Sequence, residues 1–275
     1  MKHTRIKLFA LSIGLLAACA PAKKVSTVST ANNGKVWSSL WQQRSVEYKA
    51  LCFQAYNIAR LRLDEALKNP PAGKPLAVVT DIDETVLDNS PYDAARAIAN
   101  LDYDAKTWKE WTAKAIADTV PGAPAFFKYA ASKGVTVFYI TNRDEDEREN
   151  TLKNLRLYNL PNADNAHLQL KQGASSKEAR RNEVLKTHQI VLLCGDNLPD
   201  FDVLYDNHKE NPITEQNRDE VTAKLLKDFG SRYIVLPNPS YGDWEGALYQ
   251  FNYGLKPAQK DSVIKAKLKT TGLSN

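Results

Sequence analysis

Apolar positions in this chain recur with two different periods, and the switches between them mark its elements. From Trp37 to Lys68, the residues Trp37, Leu40, Trp41, Val46, Leu51, Ala55, Ile58, Leu61 and Ala66 fall mostly three to five apart, which predicts one long helix. Asn69-Pro70-Pro71-Ala72-Gly73 stops it. Short apolar runs at 75–80, 135–140, 167–170, 190–194 and 232–236 predict strands. Helical stretches separate them: 121–132, opened by Pro121-Gly122 and closed by Gly134, then a segment ending at Tyr158, then 177–187 and 214–229. Residues 92–118 read as helical and aromatic, with Tyr92, Tyr103, Trp108 and Trp111, and the basic end 256–269 reads as a solvated helix. Such alternation predicts an α/β fold, a Rossmann-like parallel sheet with helices on both faces and a small α-helical cap at about 92–118.

The first 18 residues stand apart from this pattern. Lys2, Arg5 and Lys7 precede the apolar stretch Leu8 to Ala18, which is too short to span a bilayer and reads as a targeting signal. Leu16-Ala17-Ala18-Cys19 resembles a bacterial lipobox, which implies cleavage before Cys19 and lipidation of that residue. Ala20 in place of Asp favours the outer membrane, by resemblance to enterobacterial lipoproteins. Residues 19–36, small and polar, are expected to be a flexible tether, leaving 37–275 as a single domain. The 275 residues, 43% hydrophobic and 25% charged, suit that size. Losing the signal lowers the net charge from +5 to +2, which argues against binding polymeric nucleic acid by charge alone. Cys52 and Cys194 sit among apolar residues and are expected as free, buried thiols. Trp37 and Trp41 are expected in the core, although the aromatic stretch 37–41 could also pack a second copy as a homodimer.

Candidate chemistry concentrates where the strands end. Asp81 and Asp83 follow the first strand, Thr141 and Asn142 the second, and Asp196 and Asp200 the run 190–194. A parallel sheet lines its strand ends along one edge, so these groups can converge on one pocket. Asp-x-Asp also opens calcium loops, but position six would be Val86 and position twelve Tyr92, where an EF-hand needs Gly and Glu. Four carboxylates in one pocket call for a hard cation, and oxygen donors suit Mg²⁺, one ion per site. Lys177 offers a fixed positive charge, and Thr141 and Asn142 offer donors to phosphate oxygens. The set fits phosphoryl transfer, with one Asp as covalent nucleophile and its neighbour moving protons. No Gly-x-Ser-x-Gly elbow is present, and His167, His188 and His208 lack metal spacing.

The order Asp81-Ile82-Asp83-Glu84-Thr85, Thr141-Asn142-Arg143, Lys177 and Gly195-Asp196-Asn197-Leu198-Pro199-Asp200-Phe201 resembles the haloacid dehalogenase superfamily. With Leu87-Asp88-Asn89-Ser90-Pro91-Tyr92 it resembles, more narrowly, the class C non-specific acid phosphatases, the lipoprotein e type of bacterial outer membranes, over roughly residues 37 to 255. That resemblance implies Asp81 as nucleophile and Asp83 as general acid–base. It implies Mg²⁺ held by Asp81, the Asp83 carbonyl, Asp196 and, through water, Asp200. Thr141 and Lys177 would bind the phosphoryl group, and Trp108 and Tyr241 would clasp the base of a nucleoside monophosphate. Arg143 is expected in a helix-flanking ion pair, with a substrate-facing place as the alternative, Asp88 as a brace for the loop, and Asp144-Glu145-Asp146-Glu147 as the solvated first turn of a helix. Two rivals remain at this stage. One is a dehalogenase, which Asp83 argues against. The other is a catalytically weak surface lipoprotein that captures haem or nucleotide, against which the presence of Asp81 and Lys177 argues.

Overall fold

Ser45 divides what the apolar spacing predicted as one helix. The computed structural model describes residues 30–70, 73–208, 210 and 212–272, so the signal 1–18, Cys19 and the tether as far as residue 29 lie outside the described residues. Helix α1 runs over Thr30–Arg44 and α2 over Val46–Lys68. Between them the Ser45 backbone is extended (φ −78°, ψ 134°), and its hydroxyl accepts the Tyr48 N–H at 3.0 Å. An N-cap serine competes with helix continuation by satisfying the next turn itself, a property the apolar period does not carry. Residues 30–36, expected in the tether, are helical. Trp37 is 65% exposed, while Trp41 packs edge-on against buried Tyr48, so the expectation of a core tryptophan pair holds for the second alone.

Strand β1 (Leu76–Thr80) is buried along its whole length. The chain then turns through β2 (Leu87–Asp88), α3 (Ser90–Ile98), α4 (Ala105–Thr112) and β3 (Asp118–Thr119), with β2 and β3 paired antiparallel. A two-residue strand has no period to read, and the sequence pattern does not reveal this ribbon. Next come α5 (Ala123–Ser132), β4 (Thr136–Asp144), α6 (Arg148–Leu157), β5 (Leu168–Lys171), α7 (Glu178–Thr187) and β6 (Gln189–Gly195). The described chain closes with α8 (Glu215–Lys224), β7 (Tyr233–Val235), α9 (Asp243–Leu248) and α10 (Pro257–Lys267).

The main sheet is parallel, in the order β5-β4-β1-β6-β7. Side chains alternate between its faces, and both faces are covered. Val78, Val137, Tyr139, Leu192 and Cys194 enter the larger core with Tyr56 and Phe127 from α2 and α5. Ala77, Val79, Phe138 and Ile140 pack on the opposite side with Val184 of α7. Cys52 and Cys194 are free and buried, as their apolar surroundings predicted. From β1 the chain builds outward to β4 and β5, then returns to β6 and β7 on the other side. The order therefore reverses at β1 and β6, and a parallel sheet opens its ligand crevice outside the carboxyl ends of such strands.

The acidic run after β4 is more than a solvated turn. Residues 145–147 form a short 3₁₀ turn in which Glu147 is buried. Its carboxylate accepts the Thr112 hydroxyl of α4 at 2.8 Å and the Asp144 N–H at 2.9 Å. Lys109 of α4 pairs with Asp146 at 2.7 Å and Asp144 at 3.2 Å. The run docks α4 onto the end of β4, a use that requires a partner far along the chain.

Candidate active site

Asp81 and Asp83 leave β1 in divergent directions because the chain turns between β1 and β2. Both Val86 and Leu87 donate their N–H groups to the Ile82 carbonyl at 2.8 Å. Glu84 adopts a left-handed backbone (φ 55°), which is uncommon for a residue with a side chain. Its buried carboxylate supports the turn by accepting the Asn89 N–H at 2.7 Å and the Tyr241 hydroxyl. Burial, then the charges of Asp93, Asp83 and Asp196, push the Glu84 carboxyl well above its ordinary range. Asp88 braces the same segment, as expected, by accepting the Ser90 N–H at 2.8 Å.

Asp81 faces β6 and the start of α7. Lys177 pairs with it and also lies 2.6 Å from Asp200 Oδ1. Oxygens of Asp81, Asp196 and Asp200 all lie within 4.8 Å of one another. Burial pushes the Asp81 carboxyl up to about 7; Lys177 opposes the shift and Asp200 and Asp83 add to it. Asp196 is pushed well above the carboxylate range by desolvation, then by Asp200 and Asp81. Burial disfavours the charged Lys177, but Asp200 and Asp81 outweigh it and the lysine is raised. Each acid is held by hydrogen-bond donors. Asp200 Oδ2 accepts the Asn197 N–H at 3.1 Å. Asp196 accepts Asn238 Nδ2 at 2.8 Å and Thr85 Oγ1 at 3.2 Å. This all-oxygen donor set, crowded enough to raise the Asp81 and Asp196 carboxyl groups, fits a hard cation.

Asp83 faces β4 instead. Arg143 Nη2 meets Asp83 Oδ1 at 2.7 Å, Arg143 Nε reaches both oxygens at 3.1 and 3.2 Å, and Thr141 Oγ1 lies 3.4 Å from Oδ2. The helix-flanking ion pair expected of Arg143 is therefore corrected: the guanidinium is buried and holds Asp83, with Thr151 accepting from Nη1 at 3.2 Å. The strand β4 runs through this segment, so its side chains alternate. Thr141 and Arg143 point inward, whereas Asn142 is exposed and accepts Arg180 Nη2 at 2.6 Å. The Asn142 side chain, expected among the phosphate donors, does not join the inner cluster.

The two aromatic residues flank this core through separate contacts. Trp108 of α4 is half-buried and meets Tyr92 edge-on at 5.2 Å between ring centroids, with Arg143 5.8 Å from its ring centre. Tyr241 donates its hydroxyl to Glu84, and its loop is held by Asn238 and by the Ser240–Gln42 bond of 2.8 Å. Sequence reasoning assigned no site role to Thr85, Asn89, Arg180 or Asn238. Thr85 and Asn89 stood inside the motifs already read, but Arg180 and Asn238 lack any local signature beyond nearness to a strand end.

A parallel α/β sheet with this acid–lysine edge suits phosphoryl transfer, and comparison with known proteins narrows the class to a hydrolase of phosphoric monoesters. Residues 4–244 match the haloacid dehalogenase superfamily, subfamily IIIB (acid phosphatase). The class C acid phosphatase from Bacillus anthracis is 39% identical, aligned over 88% of this chain and 99% of its own length, with a TM-score of 0.82. The same enzyme with tungstate bound superposes with a TM-score of 0.81 at 39% identity, over 88% of this chain and 99% of its own. The chain belongs to the haloacid dehalogenase acid phosphatases of subfamily IIIB, which are metal-dependent phosphomonoesterases.

Proposed function

We propose that this acid phosphatase works with Mg²⁺ through a phosphoaspartyl intermediate on Asp81. The observation that carries the reading is the convergence of the Asp81, Asp196 and Asp200 carboxylates, with Lys177 bridging Asp81 and Asp200. Asp81, Asp196 and Asp200, with the Asp83 carbonyl, would hold the ion. When bound, Mg²⁺ supplies charge neutralisation and polarises a phosphoryl oxygen.

The chain's own residues account for the remaining work. An Asp81 oxygen attacks phosphorus, the P–O bond to the leaving alcohol breaks, and Asp83 gives that oxygen its proton. Asp83 then takes a proton from water, the water oxygen attacks phosphorus, and the Asp81–phosphorus bond breaks to release phosphate. Lys177 balances the charge that Asp81 and the phosphoryl oxygens share, and Thr141 offers its hydroxyl to the phosphoryl group. Tungstate, an oxyanion shaped like phosphate, is bound by the Bacillus anthracis relative, which supports an oxyanion pocket here.

Nucleoside monophosphates are the substrate class this reading favours, with Trp108 and Tyr241 as the aromatic walls that receive a base. The lipobox at Leu16–Cys19 supports a lipid anchor on Cys19 and an outer-membrane location, and the exposed Trp37 supports packing against a second copy.

The test is a rapid acid quench with phosphorus-labelled aryl phosphate. Wild-type protein should carry a hydroxylamine-labile label, and Asp81→Asn should carry none while keeping its circular dichroism spectrum. Near-normal turnover by Asp81→Asn would sink the mechanism. A panel of 5′- and 3′-nucleotides against simple alkyl phosphates tests the substrate class.

A further inference from the structure

The side chain of Asn89 is fully buried, and both of its ends are committed. Its Nδ2 donates to Asp83 Oδ1 at 2.8 Å, and its Oδ1 accepts the indole N–H of Trp111 at 2.8 Å. Nδ2 also lies 3.4 Å from Glu84 Oε2, and these partners together fix which way the amide faces. An indole N–H can only donate, so it selects the amide oxygen, and an ionised carboxylate can only accept, so it selects the amide nitrogen. The Asn89 main chain is pinned as well, through its N–H on Glu84 Oε1 at 2.7 Å.

We propose that Asn89 is a positioning residue that sets the orientation of the Asp83 carboxylate, and that Trp111 of α4 in turn sets Asn89. Asp83 Oδ1 receives three donors, from Asn89 at 2.8 Å and from Arg143 at 2.7 and 3.1 Å. Oδ2 has the longer contacts, 3.2 Å to Arg143 and 3.4 Å to Thr141. The arrangement turns Oδ2 into the oxygen left to exchange a proton with the leaving group. Trp108 stands three residues before Trp111, hence on the same side of α4, and lies over the Arg143 guanidinium. Both cap tryptophans therefore reach Asp83 through one intermediary, Trp111 through Asn89 and Trp108 through Arg143. Without the indole donor, Asn89 Oδ1 loses its buried partner, and the amide can tilt off the line that holds Asp83 Oδ1.

The inference rests on Asp83 acting as the general acid, and the experiment separates the two claims. It measures kcat/KM, which reports the steps up to phosphoryl transfer, for 4-nitrophenyl, phenyl and alkyl phosphates. Help from a general acid matters most for the poorest leaving group. For Trp111→Phe, which keeps an aromatic ring in place, 4-nitrophenyl phosphate should lose at most about 3-fold and the alkyl phosphate about 10-fold or more. Asn89→Ala should show the same skew, and adding Trp111→Phe to it should not deepen the skew, since one acts through the other. Equal losses across all leaving groups, or a wild-type profile in Trp111→Phe, would overturn the positioning role. Asp83→Asn is the control. If it shows the skew and Trp111→Phe does not, the positioning claim alone fails; if Asp83→Asn shows none, both fall together.

Discussion

Gly195 makes room for the carboxylate of Asp200. A methyl group at Gly195 would lie 2.4 Å from Asp200 Oδ2 and 2.6 Å from its Cβ, inside any tolerable contact. The glycine ends β6, directly before Asp196, so the strand end and the returning acid pack against each other. Gly195→Ala should push Asp200 away from Asp81 and Asp196. The Mg²⁺ concentration for half-maximal activity should rise by about 10-fold or more, the scale of displacing a carboxylate that would hold the ion. An unchanged metal titration would show that Asp200 does not depend on this fit.

Lys177 lies between two carboxylates, and removing its charge leaves them facing each other. Lys177→Gln should lower kcat by about 100-fold or more, the scale of losing one preorganised electrostatic group. Breaking a buried ion pair from one side costs about 3–5 kcal/mol, so the metal-free variant should also unfold at lower denaturant. Urea titrations in EDTA, run beside aryl phosphate kinetics, check both parts.

Two desolvated acids give stability a pH dependence with a definite sign. Asp81 and Asp93 have carboxyl groups raised to about 7, Asp81 by burial and Asp93 by burial against the pull of Lys35. Raised acids keep their protons in the folded chain where the unfolded chain has lost them. Their contribution is fully present below the ordinary carboxylate range and is lost as pH climbs through about 7. Metal-free protein should therefore melt at lower temperature at pH 7.5 than at pH 5.5. The proposed Mg²⁺ would need the ionised acids, so its thermal shift should be larger at pH 7.5. Thermal melts in EDTA and in Mg²⁺ at the two pH values test the pair of signs; a larger Mg²⁺ shift at the lower pH would contradict it.

Glu147 docks the cap helix α4 through Thr112 and caps its own turn through Asp144. Glu147→Ala removes the acceptor from the buried Thr112 hydroxyl and from the part-buried Asp144 N–H, which should cost about 1–3 kcal/mol. Because α4 carries Trp108 and Trp111, KM for a nucleoside monophosphate should rise more than KM for 4-nitrophenyl phosphate. Parallel changes in the two KM values would mean that the cap does not contact the nucleoside.

Much of the fold was legible because buried parallel strands declare themselves as apolar runs: β1, β4, β5, β6 and β7 all fall where such runs stand. Asp81, Thr141, Lys177, Asp196 and Asp200 were legible for a related reason, since the ends of such strands share one edge. The break at Ser45 was not, because one hydroxyl on one N–H decides it and leaves the apolar period unchanged. Nor was the buried place of Arg143, whose partner Asp83 is 60 residues away.

The sequence by itself determined the sheet, its acid-bearing edge and the chemistry that edge can support, since periodicity and residue type are local properties. Only the tertiary structure decided how the acids divide. The turn through Glu84 sends Asp81 to Lys177 and the Asp196–Asp200 pair, and Asp83 to Arg143 and Asn89. It also decided that Asn142 faces outward while Thr141 and Arg143 face inward, because β4 continues past the apolar run that marked it. These outcomes depend on distance and direction between residues far apart in the chain, and a linear pattern of polar and apolar positions holds neither.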